Sequence, residues 1–248
     1  MDPVTLVQMT PAQEESWRIL LDLYPVFPSG WCLIGGQMVW LFACEYNVDP
    51  VRATEDVDVA VDIRADQQAI RRLCAWLESR HLMLEGMNTD GIGHRYVSST
   101  YEGPGKVMFD VLAPDNVGGR ADLTTSPPAR TVSAPGTRNA LDEVQRIEVV
   151  LGHRTGQILR PSLLAAIIAK AAATTIPVRE DPDRDWSDAA FLLSLVPDPV
   201  AAAAELTKGQ RRGLRAIDAL LDEAHPAWRR LGARGRLGNA TLQFLLDA

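Results

Sequence analysis

Cysteine is scarce. There are three, Cys32, Cys44 and Cys74, an odd number at spacings that fit neither a zinc site nor a disulfide framework. They read as reduced, mostly core thiols of a cytoplasmic protein. Excess positive charge is also missing. The net charge is −7 and the pI about 5.1, so a protein whose whole surface grips nucleic acid is excluded and only a local patch is left for that purpose. No apolar run reaches the ~20 residues that span a bilayer, and the most apolar stretch, "LLAAIIAKAAA", is interrupted by Lys170. The N-terminal "MDPVTLVQMTPAQEES" lacks the basic start and apolar run of a signal peptide. A soluble, cytoplasmic protein without a membrane partner is the expectation. Internal repeats and low-complexity tracts are absent, and so is a phosphate-binding GxxxxGK[ST] loop; "GPGK" and "DGIGH" read as turns.

What is present is a chain of 248 residues, 46% hydrophobic, enough to bury a core as one large domain or two small ones. Thr10 or Pro11 opens a helix that runs to Leu23, and "WCLIGG" reads as a strand ending on Gly35 and Gly36. A helix of composition "QMVWLFACEY" follows, then a strand over 57–63 and an amphipathic helix over 65–80. "GHRYVSST" and "KVMFDVLA" are two strands joined by a turn, and "RIEVVLG" with "GQILR" is a hairpin around Gly152 to Gly156. Residues 114–139 read as a long loop. From Pro161 the segments are helical in period or propensity, which places a boundary near Arg160. The expected fold class is α/β (α+β), with a mixed β-sheet flanked by helices over residues 1–160 and a helical domain over 161–248.

Three acids stand where valines would be expected. In "RATEDVDVAV" Asp56 and Asp58 share one strand face, because side chains two apart point the same way, while Val57, Val59 and Val61 face the core. Asp62 has the same parity but lies further along. Asp110 is set in an apolar strand between Phe109 and Val111. If the two strands are neighbours, three carboxylates converge, and their repulsion raises at least one pKa. A divalent cation removes that penalty, and clustered hard oxygens favour Mg²⁺ or Mn²⁺. Such a site binds substrate phosphates and can activate an attacking hydroxyl. Solvated acids at a strand end are the plainer alternative. Gly35 and Gly36, at a strand-to-helix corner, offer unpaired N–H groups to an anion.

Together these residues form a pattern. "GGQMVWLFACEYNVDPVRATEDVDVAV" resembles the signature of the DNA polymerase β-like nucleotidyltransferase superfamily: a Gly-Gly or Gly-Ser corner, a helix, then Arg-x-[Ser/Thr]-x-Asp-x-Asp, with a third acid on a later strand. The Arg-x-Thr form and the helical C-terminal half most resemble the AbiEii/MenT-like toxins of bacterial toxin–antitoxin and phage-defence systems. The resemblance covers roughly residues 30–195. It implies that Asp56, Asp58 and Asp110 hold Mg²⁺ (or Mn²⁺), that Gly35 and Gly36 face the triphosphate of an NTP, and that Arg52 and Thr54 support that region. It also implies a helical lysine, here Lys170, and a later acidic segment, here "RDWSDAAFLL" with Asp185 and Asp188. Two positions depart from the pattern: the second glycine is often serine, and the relatives' Leu-His is Leu41-Phe42.

Read without the resemblance, Lys170 shares a helix face with Leu163 and Ile167, so its ammonium either snorkels out or meets an anion. Asp185 is assigned to a helix start that suits the macrodipole. Asp188, deeper in the helix, is assigned to the site as a partner of Lys170 or of an arginine. Arg95 either touches a phosphate or ends a strand in solvent. His153 and His225 are placed at the surface, and Trp186 in core or interface. Between Lys208 and Arg236 eight basic residues face three acids, a patch suited to an RNA backbone or simply a solvated face. The expected activity is transfer of a nucleoside monophosphate from an NTP to an acceptor hydroxyl, with Asp110 helping to deprotonate the acceptor. The acceptor is the 3′ end of tRNA, a protein, or a small molecule such as an aminoglycoside; a non-catalytic nucleotide-binding module is the other reading. A cognate antitoxin is an implied partner.

Overall fold

The computed structural model describes residues 2–50, 52–176, 181 and 183–247. In chain order the elements are β1 (Val4–Thr5), α1 (Pro11–Val26), β2 (Trp31–Ile34), α2 (Gly35–Glu45), β3 (Asp56–Val61), α3 (Ala69–Ser79), β4 (Leu82–Leu84), β5 (Arg95–Ser98), β6 (Met108–Pro114), β7 (Ser133–Ala134), α4 (Thr137–Asp142), β8 (Val144–Leu151) and β9 (Arg154–Pro161). The described elements that follow are helical: α5 (Leu163–Ala173), α6 (Asp183–Leu193), α7 (Pro199–Glu205), α8 (Lys208–Leu214), a 3-10 segment over Arg215–Leu221, α9 (Pro226–Arg229) and α10 (Ala233–Asp247).

The main sheet is mixed, with strand order β2-β3-β6-β5-β4 and β7 pairing with β6. β3 and β6 run parallel; β2 lies antiparallel to β3, and β5 antiparallel to β6. A second sheet, β1-β8-β9, joins the predicted hairpin to an N-terminal strand. β1 pairs parallel with β8, Val4 opposite Val149.

Local chemistry explains where elements start. The Thr10 hydroxyl accepts from the Gln13 N–H at 3.1 Å, and Pro11 occupies the first helical position, where its missing N–H costs nothing. α2 is buried from Gly36 to Ala43, so it reads as apolar all round rather than striped. One polar side chain breaks that run. The Gln37 oxygen accepts from Trp17 Nε1 at 2.9 Å and Gln13 Nε2 at 3.0 Å, while its Nε2 donates to the Thr54 carbonyl at 2.9 Å. α1, α2 and the approach to β3 are thereby locked together by a satisfied buried amide.

Some expectations shift. The strand expected over 57–63 spans Asp56–Val61, and the helix expected from 65 starts at Ala69. Residues 114–139 are not one structureless loop: β7 and the start of α4 lie within them, and Thr131 Oγ1 donates to the Val111 carbonyl on β6. Elements of two and six residues are too short to carry a periodic signal. The three cysteines are free. Burial pushes the Cys44 thiol up to about 11 and Cys74 up to about 12, so neither is a ready nucleophile. No described helix is long and apolar enough to cross a membrane.

Candidate active site

β3 and β6 are neighbours, and their register sets the site. Asp58 lies opposite Asp110 across the parallel pair, and Ile34 lies opposite Asp58 on the other side. Asp56, two residues earlier, shares the face. Asp56, Asp58 and Asp110 each offer an oxygen within 4.8 Å of the others. Among the described residues this is the acidic cluster able to hold a metal ion. Asp110 is buried, and Asp56 and Asp58 are partly buried. Burial, reinforced by the charges of Asp56 and Asp110, pushes the Asp58 carboxyl up to about 7, against the pull of Lys170 and Arg184.

This donor set fits a hard divalent cation. An octahedron with bonds of about 2.1 Å has a diagonal of about 4.2 Å, close to the spread of these oxygens. Burial first, and repulsion from Asp56 and Asp110 second, raise Asp58, and such a cation relieves both. One feature was not legible in the sequence. Arg95, opposite Asp110 across the antiparallel β5–β6 pair, donates to both its oxygens, Nε to Oδ1 at 2.8 Å and Nη2 to Oδ2 at 2.7 Å. Arg95 is 39% exposed and Asp110 8% in their side chains, so the arginine reaches in from the rim.

The glycine corner closes against these acids. Gly35 has φ +68°, and a Cβ there would sit 1.7 Å from Asp58 Oδ2. A Cβ on Gly36 would sit 2.3 Å from Thr54 Oγ1 and 2.8 Å from an Arg52 nitrogen. Both glycines are therefore required by side chains of the site itself, in addition to any anion that approaches them. Thr54 Oγ1 in turn donates to Asp56 Oδ1 at 3.2 Å. Asp62 lies past the strand end and is engaged by Arg64 at 2.8 Å, away from the cluster.

Behind the acids lies a buried ion cluster. Arg52 grips Asp188 with two bonds, Nε to Oδ1 at 3.0 Å and Nη2 to Oδ2 at 2.9 Å. Lys170 Nζ lies 2.7 Å from Asp188 Oδ2 and 3.1 Å from Asp185 Oδ1. Lys170, Asp185 and Asp188 are all buried. Burial raises Asp188, but the neighbouring Lys170 and Arg52 charges outweigh it and hold the carboxyl below the usual range. Asp185 does lie in the first turn of α6, as expected, but it is also buried and neutralises Lys170. Of the two readings open for Lys170, the ammonium meets anions rather than snorkelling out, and those anions are carboxylates of α6. Asp188 meets both partners considered for it.

Sequence reasoning missed Arg184. Its guanidinium is partly buried, its Nε is buried without a hydrogen-bond partner, and its charge is felt by Asp58. Trp186 is partly exposed but packs against the edge of the core, as expected of it, and lies beside His225, ring centroids 5.4 Å apart. His225 is itself half-buried rather than a surface side chain. His153 is exposed, as expected.

No family model matches the chain, and no curated protein does. Solved structures do. A crystal structure of an antigenic nucleotidyltransferase-like protein from Paracoccidioides brasiliensis superposes with a TM-score of 0.52 at 14% identity, over 93% of this chain and 95% of that one. The solution structure of the antibiotic-resistance factor ANT(2'')-Ia gives a TM-score of 0.43 at 12% identity, over 88% of this chain and 98% of that one. The first likeness spans nearly the whole of both chains, and it shows that this chain has a nucleotidyltransferase-like fold.

Proposed function

We propose that the protein is a metal-dependent nucleotidyltransferase. It binds an NTP with Mg²⁺ or Mn²⁺ and joins the nucleoside monophosphate to an acceptor hydroxyl. The acceptor oxygen forms a bond to the α-phosphorus, the bond from that phosphorus to the bridging oxygen breaks, and pyrophosphate leaves. The observation that carries this reading is the Asp58–Asp110 register, which gathers three acids beside a glycine corner on a nucleotidyltransferase-like fold.

Each residue has a role in this reading. Asp56, Asp58 and Asp110 hold the cation, which when bound screens phosphate charge and lowers the pKa of the attacking hydroxyl. The N–H groups at Gly35 and Gly36 face the phosphates. Arg52, fixed by Asp188, adds positive charge beside Gly36. Lys170 acts at one remove, holding Asp188 and so Arg52 in place. Asp110 takes the acceptor's proton only once Arg95 releases one of its two bonds, and Arg95 is exposed enough to turn towards a phosphate.

The finer reading is a toxin of a toxin–antitoxin or phage-defence system that modifies the 3′ end of tRNA. What supports it is the resemblance of the Arg52–Asp58 and Arg184–Asp188 segments, together with exposed basic residues such as Arg229, Arg230 and Arg236 near the C-terminus. Incubation with α-labelled NTPs and Mg²⁺ tests the proposal, with total RNA, protein and aminoglycosides offered in turn. Label on RNA, lost in D58N and D110N, is expected. Label on protein or on an aminoglycoside alone replaces the acceptor. Calorimetric Mg–NTP binding without pyrophosphate release from any acceptor replaces the enzyme by a binding module. Growth arrest on expression, absent for D58N, tests the toxin role.

A further inference from the structure

α10 carries an apolar stripe that no described residue covers. Leu237 is 64% exposed and Phe244 45%. Ala233 and Ala240 are exposed as well, so the outward apolar residues recur at intervals of four, three and four. That spacing draws one line along a helix, the pattern by which one helix packs on another. A lone exposed leucine needs no explanation, but an ordered line of apolar side chains does.

The stripe is held outward. The other side of α10 is buried at Gly235, Gly238, Leu242, Leu245 and Leu246. A Cβ on Gly238 would sit 2.7 Å from the Trp228 ring, so the helix is seated too closely to roll. Asn239 Nδ2 donates to the Leu220 carbonyl at 2.7 Å and to the Leu221 carbonyl at 3.1 Å. Turning Leu237 or Phe244 inward would break both bonds.

Charge selects the occupant. Arg236 and Asp247 flank the stripe and are eleven residues apart, about three helical turns, so they lie on one side of it. Both are exposed, and neither makes an ion pair among the described residues. A second α10 laid antiparallel, with the two-fold axis beside Ala240, brings them together. Arg236 precedes Ala240 by four residues and Asp247 follows it by seven, about 6 and about 10 Å along the helix, a difference that an arginine side chain spans. The same axis sets Leu237 against Phe244 and places the small Ala240 at the crossing, where it lets the backbones approach. A parallel copy would set Arg236 against Arg236.

We propose that α10 is a self-docking face. Two copies of the chain pair antiparallel through Leu237 and Phe244, with two reciprocal Arg236–Asp247 ion pairs across an isologous interface. The proposal is independent of the transferase reading. One helix from each copy buries less than the roughly 1,200 Å² of a standard interface, so the dimer is weak and fills as concentration rises.

Sedimentation equilibrium of the full chain up to about 500 µM tests this, a range suited to an interface below standard size. Wild type is expected to pass from monomer to dimer. F244E and L237E are expected to weaken association at least about tenfold, because each buries an unpaired carboxylate. Their thermal unfolding is expected to match wild type, since both side chains already face water. R236D and D247R are each expected to weaken association about tenfold, as each turns two symmetry-related attractions into repulsions. The double variant R236D/D247R is expected to return to within about twofold of wild type, because the two positions face each other. A chain that stays monomeric across the range leaves the stripe to a different protein and overturns the proposal. A dimer that F244E leaves intact pairs elsewhere and also overturns it. So does a double variant no tighter than the weaker single, which denies the antiparallel register.

Discussion

The buried cluster behind the acids offers a sharp test by charge balance. Asp188 is 0% exposed in its side chain and is shared by two cations, Arg52 and Lys170, with Asp185 as the second anion. The four charges cancel. D188N removes one anion and leaves two cations facing Asp185 alone. Removing one partner of a buried pair costs about 3–5 kcal/mol, because the other charge stays buried and uncompensated. In a chain of this size each kcal/mol shifts Tm by roughly 2–4 °C, so a fall of about 6–20 °C is expected. K170M leaves the opposite imbalance, two acids on Arg52, and a loss of the same order. The double variant K170M/D188N leaves Arg52 and Asp185, one of each sign. It should therefore be less destabilised than the sum of the singles by at least about 1 kcal/mol, within the range of contacting residues. Urea unfolding followed by circular dichroism measures all three. Losses that add to within about 0.5 kcal/mol would refute the shared-charge account, since that is how independent sites behave.

Further outcomes concern the acids and the glycine corner. Asp58 has a native value of about 7 against an ordinary 3.8, so the folded protein holds a proton that the unfolded chain releases earlier. Its contribution is present at low pH and fades between about pH 4 and 7, up to about 4 kcal/mol for three units. In chelator, D58N should exceed wild type in Tm at pH 8, with the gap closing by pH 5. The same proton competes with Mn²⁺, so wild-type affinity, measured by calorimetry, should fall about tenfold per pH unit below 7. G35A combines a left-handed backbone with a clash against Asp58 and should cost about 2–5 kcal/mol, whereas G152A, at φ +58° with nothing within 4 Å, should cost only the backbone part of about 1–2 kcal/mol; chemical unfolding separates them. R95Q frees Asp110 from a competing cation and should tighten Mn²⁺ binding severalfold, read by calorimetry without turnover.

What the sequence made legible was local. Alternation alone put Asp56 and Asp58 on one face, and an acid between Phe109 and Val111 had no place in a core strand unless it served something. The Gly35–Gly36 corner followed from strand and helix patterns. What stayed hidden depended on pairing between distant segments. Arg95 clamps Asp110 only because β5 pairs with β6 in one register, and the alternation of a four-residue strand does not choose a register. Asp185 looks like any first-turn acid until α5 is packed against it and brings Lys170. β1 is two residues long and finds its partner at Val149, which no local pattern announces. Arg184 and Trp186 read as ordinary helix positions because the cavity they line is formed by α9, some forty residues on.

The contact between Arg52 and Asp188 joins positions 136 residues apart. During translation the glycine corner and all three acids leave the ribosome well before α6 exists. A nascent chain thus displays an acidic face that Arg95 clamps at Asp110 but that lacks the Lys170–Asp188 cluster behind it. That brace arrives with the docking of α5 and α6, so the order of synthesis withholds the finished site until Asp188 of α6 has emerged, well after all three acids. A fragment stopped short of α6 has the acids yet lacks the groups that orient Arg52.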